Sequence, residues 1–106
     1  MTDRELLEKA AKAAGYSVNL LSDDPNDWYR WDTPHKMVWN PLTDDGDALR
    51  LAVKLKIDVQ HYEDHVVGWF DGGYIGTGKI PYEDDPYSAT RRAIVRAAAA
   101  IGEQTP

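Results

Sequence analysis

The sequence predicts a single α+β domain, residues 1–106, in the order α-β-β-α-β-β-β-α, with a mostly antiparallel sheet of four or five strands. Three observations predict it. Capped amphipathic runs stand at both ends and near the middle; short β-rich pieces separated by Asp-, Gly- and Pro-containing turns lie between them; and 106 residues leave room for one core.

The first helix is expected from about Asp3 to Ala14. In "TDRE", Thr2 can cap and Glu5 can reach back as in a capping box, and Gly15 supplies a left-handed stop. Leu6, Leu7, Ala10, Ala13 and Ala14 fall on one side, and Glu5, Glu8, Lys9 and Lys12 on the other. "YSVNLL", residues 16–21, reads as a strand that "SDDPND" breaks. "WYRW" and "MVW" are short β-like pieces around "DTPHK", giving two strands or an irregular hairpin between Trp28 and Trp39.

"WNPLTDDGDALRLAVKL", residues 39–55, looks at first like a calcium loop. With Gly46 as its glycine, the ligand positions hold Pro41, Thr43 and Asp45, and Ala52 stands where the bidentate Glu belongs, so the template is not met. A helix capped by Thr43 or Asp44 fits instead, with Asp45 and Asp47 near its positive end. Its apolar positions, Ala48, Leu49, Leu51, Ala52, Val53 and Leu55, sweep about 200° of a wheel at about 100° per residue, predicting burial on two sides. Asp47, Arg50 and Lys54 form the polar stripe.

"IDVQHY" and "HVVGWF" read as strands joined at "ED", and "DGG" turns into "YIGTGKI", giving a three-stranded meander that Pro81 ends. The last helix opens on Asp85 as N-cap and Pro86 as first residue, and Gly102 is expected to stop it. Tyr87, Thr90, Ile94, Ala97, Ala98 and Ile101 share its apolar face. Ala89, Ala93, Ala97 and Ala100 permit close approach of a neighbour, and Arg92, Arg96 and Glu103 point away.

Composition excludes several function classes. No cysteine is present, which removes disulfides, thiolate metal sites and thiol nucleophiles. A net charge of -6 argues against the nucleic-acid backbone as a partner, because that binding needs a basic surface. No apolar run reaches the ~18 residues of a membrane span, and "MTDRELLEKA" is charged throughout, so a soluble, cytoplasmic protein without membrane contact is expected.

Motifs for catalysis are absent. "GYIGTGK" has the glycine and lysine spacing of a phosphate loop, but Ile80 and Pro81 follow where Ser or Thr and a helix belong; a strand whose glycines allow a bulge or a close backbone approach is the better reading. "HYEDH" spaces His61 and His65 as a helical zinc pair, yet the segment reads as strand and turn. Neither a metal nor any other cofactor is expected, and no enzymatic activity is read.

The segment "DDPNDWYRWDTPHK" carries two Trp, a Tyr, an Arg and a His in a turn-rich setting. Strand alternation puts Trp28 and Arg30 on one face and Tyr29 and Trp31 on the other, so one pair enters the core and the second remains exposed. Aromatics with Arg are enriched in binding hot spots, which makes Trp28, Tyr29, Arg30, Trp31 and Asp32 the candidate partner-binding residues. A second reading, a small-ligand or nucleotide binder, draws on His35, Trp69 and Arg91. Arg91 stands about 60° from the centre of the last helix's apolar face, where its stem covers apolar surface and its head pairs with an acid or lines a pocket.

The stretches "WNPLTDDGDALRLAVKL" and "DPYSATRRAIVRAAAAIGE" resemble small phage and prophage proteins grouped as the phage ABA sandwich domain, the likeness covering roughly residues 1–22 and 37–103. The resemblance implies a three-layer α/β/α sandwich, which agrees with three helices around the strands. It implies no catalytic residues. A phage accessory protein in the bacterial cytoplasm is therefore expected, one that binds and modulates a host protein such as a defence component through the Trp28–Asp32 segment and its acidic flank. Exposed strand edges or the alanine-rich last helix offer routes to a homodimer.

Overall fold

A computed structural model describes residues 2–104 and shows a compact α+β fold of three helices and two antiparallel sheets, in the expected order α-β-β-α-β-β-β-α with one additional two-residue strand in each strand group. The strands divide between two sheets. β1 (Val18–Asn19), β2 (Tyr29–Arg30) and β3 (Met37–Val38) form a small one, and β4 (Asp58–His61), β5 (His65–Phe70), β6 (Ile75–Gly76) and β7 (Ile80–Pro81) a larger one. Turn-forming residues between Leu21 and Lys36 keep the small sheet's strands at two residues; Pro25–Asp27 winds there as a single 3₁₀ turn capped by Asp24.

Helix α1 (Asp3–Ala14) begins as its cap signals dictate. Thr2 Oγ1 accepts from the Glu5 amide at 3.1 Å and donates to the Glu5 carboxylate at 3.2 Å, and Gly15 ends the helix at φ 75°. Its buried stripe is Leu6, Leu7, Ala10, Ala11 and Ala14. Helix α2 (Asp45–Leu55) is capped by Asp44, whose carboxylate accepts from the Asp47 amide at 2.8 Å.

Burial of α2 differs from expectation. Ala48, Leu51 and Ala52 are buried, but Leu49 and Val53 are exposed, because α2 packs on its neighbours along one stripe and leaves its other apolar side to solvent. Asp47, placed on the polar stripe by the wheel, is buried instead. Its carboxylate accepts from the Asn40 amide at 3.0 Å and from Arg50 at 2.8 Å, so it ties the Trp39–Pro41 segment to the helix.

Helix α3 (Pro86–Gln104) packs on α1 along its length and across β5 on another face. Asp85 caps it, accepting from the Tyr87 and Ser88 amides at 3.0 and 3.2 Å. Gly102 does not stop this helix, which continues to Gln104; it is the point where α1 crosses. A Cβ there would stand 2.0 Å from the Lys9 carbonyl oxygen, so the two backbones touch. Gly68 plays the same part between β5 and α3, where a Cβ would meet the Ala93 carbonyl oxygen at 2.7 Å. Tyr87, expected on the apolar face, is exposed one turn beyond the packed region.

In the larger sheet β5 is central. Its partners on one side run from Asp58↔Trp69 to His61↔Val66, and on the other are β6 and β7. Those last two are pieces of one edge strand. Between them the Thr77 amide donates to the Gly68 carbonyl at 2.9 Å, and Gly78 at φ 84° bends the chain outward, which is the bulge its glycines foretold. The main core joins all three helices to the inner side of the small sheet through Leu7, Leu51, Trp39 and Val95; a satellite cluster of Val66, Ile80, Ala89 and Ala93 lies between β5 and α3.

Candidate functional site

The small sheet presents two faces of opposite character. Its register pairs Val18 with Arg30 and Arg30 with Met37, and Asn19 with Tyr29 and Tyr29 with Val38. Side chains alternate along each strand. Trp28, Arg30 and Trp39 therefore turn inward, while Asn19, Tyr29, Trp31 and Val38 turn outward.

The inner face is a packed cation–aromatic stack. The Arg30 guanidinium lies 3.5 Å from the centroid of the Tyr16 ring, which meets Trp39 edge-on at 6.0 Å. Lys54 from α2 approaches the same ring at 4.6 Å. Arg30 also grips Asp32 with two hydrogen bonds, Nε to Oδ1 at 3.2 Å and Nη2 to Oδ2 at 3.3 Å. Hydrogen bonding from Arg30 holds the Asp32 carboxyl below its ordinary pKa. Trp28 is only 6% exposed, and its indole N–H donates to the Ser22 carbonyl at 2.8 Å.

The outer face is open. Trp31 is 61% exposed, Val38 64% and Leu21, beyond the end of β1, 83%. Tyr29 between them is partly buried, receiving a hydrogen bond from Asn19 Nδ2 at 3.1 Å and the Lys36 ammonium over its ring at 4.1 Å. Trp31 is fixed at its backbone, where its amide donates to the Ser17 carbonyl at 3.0 Å. The result is a rigidly held aromatic and aliphatic surface, flanked by the exposed acids Asp23, Asp24 and Asp27.

The five residues singled out in this segment thus separate. Tyr29 and Trp31 form the outer surface, Arg30 turns inward and is tied to the exposed Asp32, and Trp28 is a correction: its side chain belongs to the core and gives a partner almost no surface.

The second group, His35, Trp69 and Arg91, is spread over three separate places in the fold. Arg91 is spent on a structural tie, donating from Nε to the Leu42 carbonyl at 2.9 Å and from Nη1 to Asp45 at 2.7 Å. Trp69 lies flat over Gly76 on the outer face of the larger sheet, with its indole N–H buried and unpartnered. His35 is exposed on the turn before β3, where its carbonyl accepts from Thr33 Oγ1.

His61 and His65 also part company, since His61 pairs with Val66 and the alternation of β5 puts His65 on the opposite face. His61 Nδ1 meets the Tyr82 hydroxyl at 3.0 Å, and His65 Nδ1 meets Asp64 at 2.6 Å beneath a stacked Tyr62 ring. That contact with His65 holds the Asp64 carboxyl below its ordinary value. Among the described residues no group of three His, Asp or Glu side chains is arranged to hold a metal ion. No helix among them is long and apolar enough to cross a membrane.

Two hollows border α3. Arg92 and Arg96, one turn apart on α3, border a cavity of about 690 Å³ between that helix and the β6–β7 edge instead of pointing away from the fold. A smaller recess of about 300 Å³ borders the exposed side of α2, lined by Arg91 together with Leu49, His61, Tyr87 and Ile94. Neither carries a local motif; both arise from where β6–β7 and α2 settle against α3.

No protein-family model, curated protein or solved structure matches this chain.

Proposed function

We propose that the chain is a non-enzymatic binding protein of phage or prophage origin that engages a host protein in the bacterial cytoplasm through the outer face of its small sheet. The observation that carries this reading is Trp31. Its large ring stands 61% exposed beside exposed Val38 and Leu21, on a strand whose backbone and inner face are tightly held. Contiguous exposed apolar surface of this kind marks interaction sites, and a preorganised tryptophan anchor loses little entropy on binding. The acids at Asp23, Asp24 and Asp27, with the overall charge of -6, favour a partner whose contact surface is basic. The phage origin rests on the likeness of residues 39–55 and 85–103 to the phage ABA sandwich proteins.

The test is affinity capture from the bacterial host, comparing the native chain with Trp31→Ala and Val38→Asp. Both variants keep the fold, because both side chains are outside the core. A host protein that is retained by the native chain and weakened at least tenfold by each substitution, ~1.4 kcal/mol, supports the surface. Equal retention by all three chains contradicts it.

A further inference from the structure

We propose that the groove between α3 and the β6–β7 edge is a binding site for a small organic phosphate, with Arg96 as the residue that holds the phosphate. The inference starts from the arginines. Of the six in the chain, Arg4, Arg30, Arg50, Arg91 and Arg92 each meet a carboxylate within 4.0 Å, and Arg96 meets none among the described residues. In a protein with excess acid this is an unusual vacancy. Arginine is the side chain best suited to planar, two-pronged recognition of an anion.

The surroundings of Arg96 make a site of it. The groove holds about 690 Å³, within the range of small-molecule pockets. Its apolar wall is Leu6, Phe70, Ile75 and Ala99. The other charges bordering it are already engaged: Glu103 accepts from Lys9 at 2.7 Å, and Arg92 holds one oxygen of Asp3 at 3.2 and 3.3 Å. Among the described residues bordering the groove, Arg96 alone has no carboxylate partner and is free to balance an incoming anion.

Arg92 extends the argument to phosphate. It stands one helical turn before Arg96 on the same groove, and its contact with Asp3 is long and made to a single oxygen. A phosphate has oxygens enough for both guanidinium groups. Glu83, Asp84 and Asp85 line the adjoining recess, which shares Arg92 and Arg96, yet none of the three is in ion-pair contact with either arginine. Their repulsion limits the site to one anionic group and leaves the rest of the ligand to the apolar wall. The class is thus a phosphate monoester on a compact apolar body.

The experiment is a titration followed by amide NMR, with phenyl phosphate as probe and inorganic phosphate and phenol as the two halves of it. Saturable shifts at Ile75, Gly76, Thr77, Arg96 and Ala100 are expected with phenyl phosphate, at lower concentration than with either half. Arg96→Gln should weaken that binding at least tenfold; Lys12→Gln, which removes an exposed charge from α1, should leave it unchanged. Absence of saturable shifts at the groove overturns the proposal. So does binding that Arg96→Gln and Lys12→Gln weaken alike, since only general charge would then be at work. Both variants sit on exposed helix positions, and an unchanged native spectrum away from the substitution confirms the fold.

Discussion

Gly102→Ala tests the α1–α3 crossing that organises the core. On an isolated helix this change stabilises, by ~1 kcal/mol, because alanine is the better helix former. Here the added Cβ would lie 2.0 Å from the Lys9 carbonyl oxygen and 2.8 Å from its carbonyl carbon, against an ordinary contact distance of at least 3.4 Å. The opposing atoms are backbone, so no rotamer change relieves them. The helices must separate by about 1.4 Å at that point, the difference between those two distances, loosening the contacts of Leu6, Ala10, Ala97 and Ala98 nearby. Overpacking of this kind costs about 3 kcal/mol at the upper end of its usual range. Net destabilisation should be about 2 kcal/mol, a fall in Tm of roughly 8–16 °C for a domain of this size. Calorimetric or circular-dichroism melting measures it. A Tm equal to or above that of the native chain would refute the crossing, because helix propensity would then be the only term acting.

The two tryptophans of the 28–31 segment should separate cleanly in chemical denaturation. Trp28→Ala should cost about 3–5 kcal/mol, as truncation of a buried aromatic does, while Trp31→Ala should stay within about 0.5 kcal/mol of the native chain. Asp47→Ala removes the acceptor for the buried Asn40 amide and should cost about 1–3 kcal/mol, measured by the same unfolding curve; an unchanged midpoint would show that the amide finds another partner. Acid should act through Asp32 and Asp64. Both carboxyls are held below the ordinary value of 3.8 by hydrogen bonds from Arg30 and His65. Their contribution is therefore complete above the ordinary value and is lost as pH falls through the depressed folded one. Carboxyl-carbon NMR titration should find both midpoints below 3.8, and Asp32→Asn should flatten part of the acid-side stability curve.

How much of this was legible in the sequence depended on how local each signal was. Thr2, Asp44 and Asp85 cap the helices as their residue types dictate, since a cap is settled within four residues. Alternation correctly separated Trp28 from Trp31, and the glycines after Ile75 did mark a bulge. The misreadings came from tertiary partners. Gly102 has the same local appearance as a helix stop, and only the crossing of α1 tells the two apart. Leu49 and Val53 look buried on a wheel that cannot report which side of the helix its neighbours cover. Asp47 looks solvated until the Asn40 amide is brought to it from seven residues away. The candidate site was legible in the same measure: its segment was readable and Arg91 pairs with an acid, Asp45, as its place on the wheel foretold, whereas the inward turn of Trp28 and an Arg96 without an acidic partner among the described residues depend on distant chain.

The most direct test of the proposed function is photo-crosslinking in the bacterial host, with a photoreactive amino acid placed at position 31 in one chain and at position 49 in another. Both positions are exposed and apolar, on the small sheet and on α2 respectively. The account predicts a discrete adduct with one host protein from position 31 and none from position 49. An adduct from position 49 alone would move the binding surface to α2, and the absence of an adduct from either would contradict a protein partner at the small sheet.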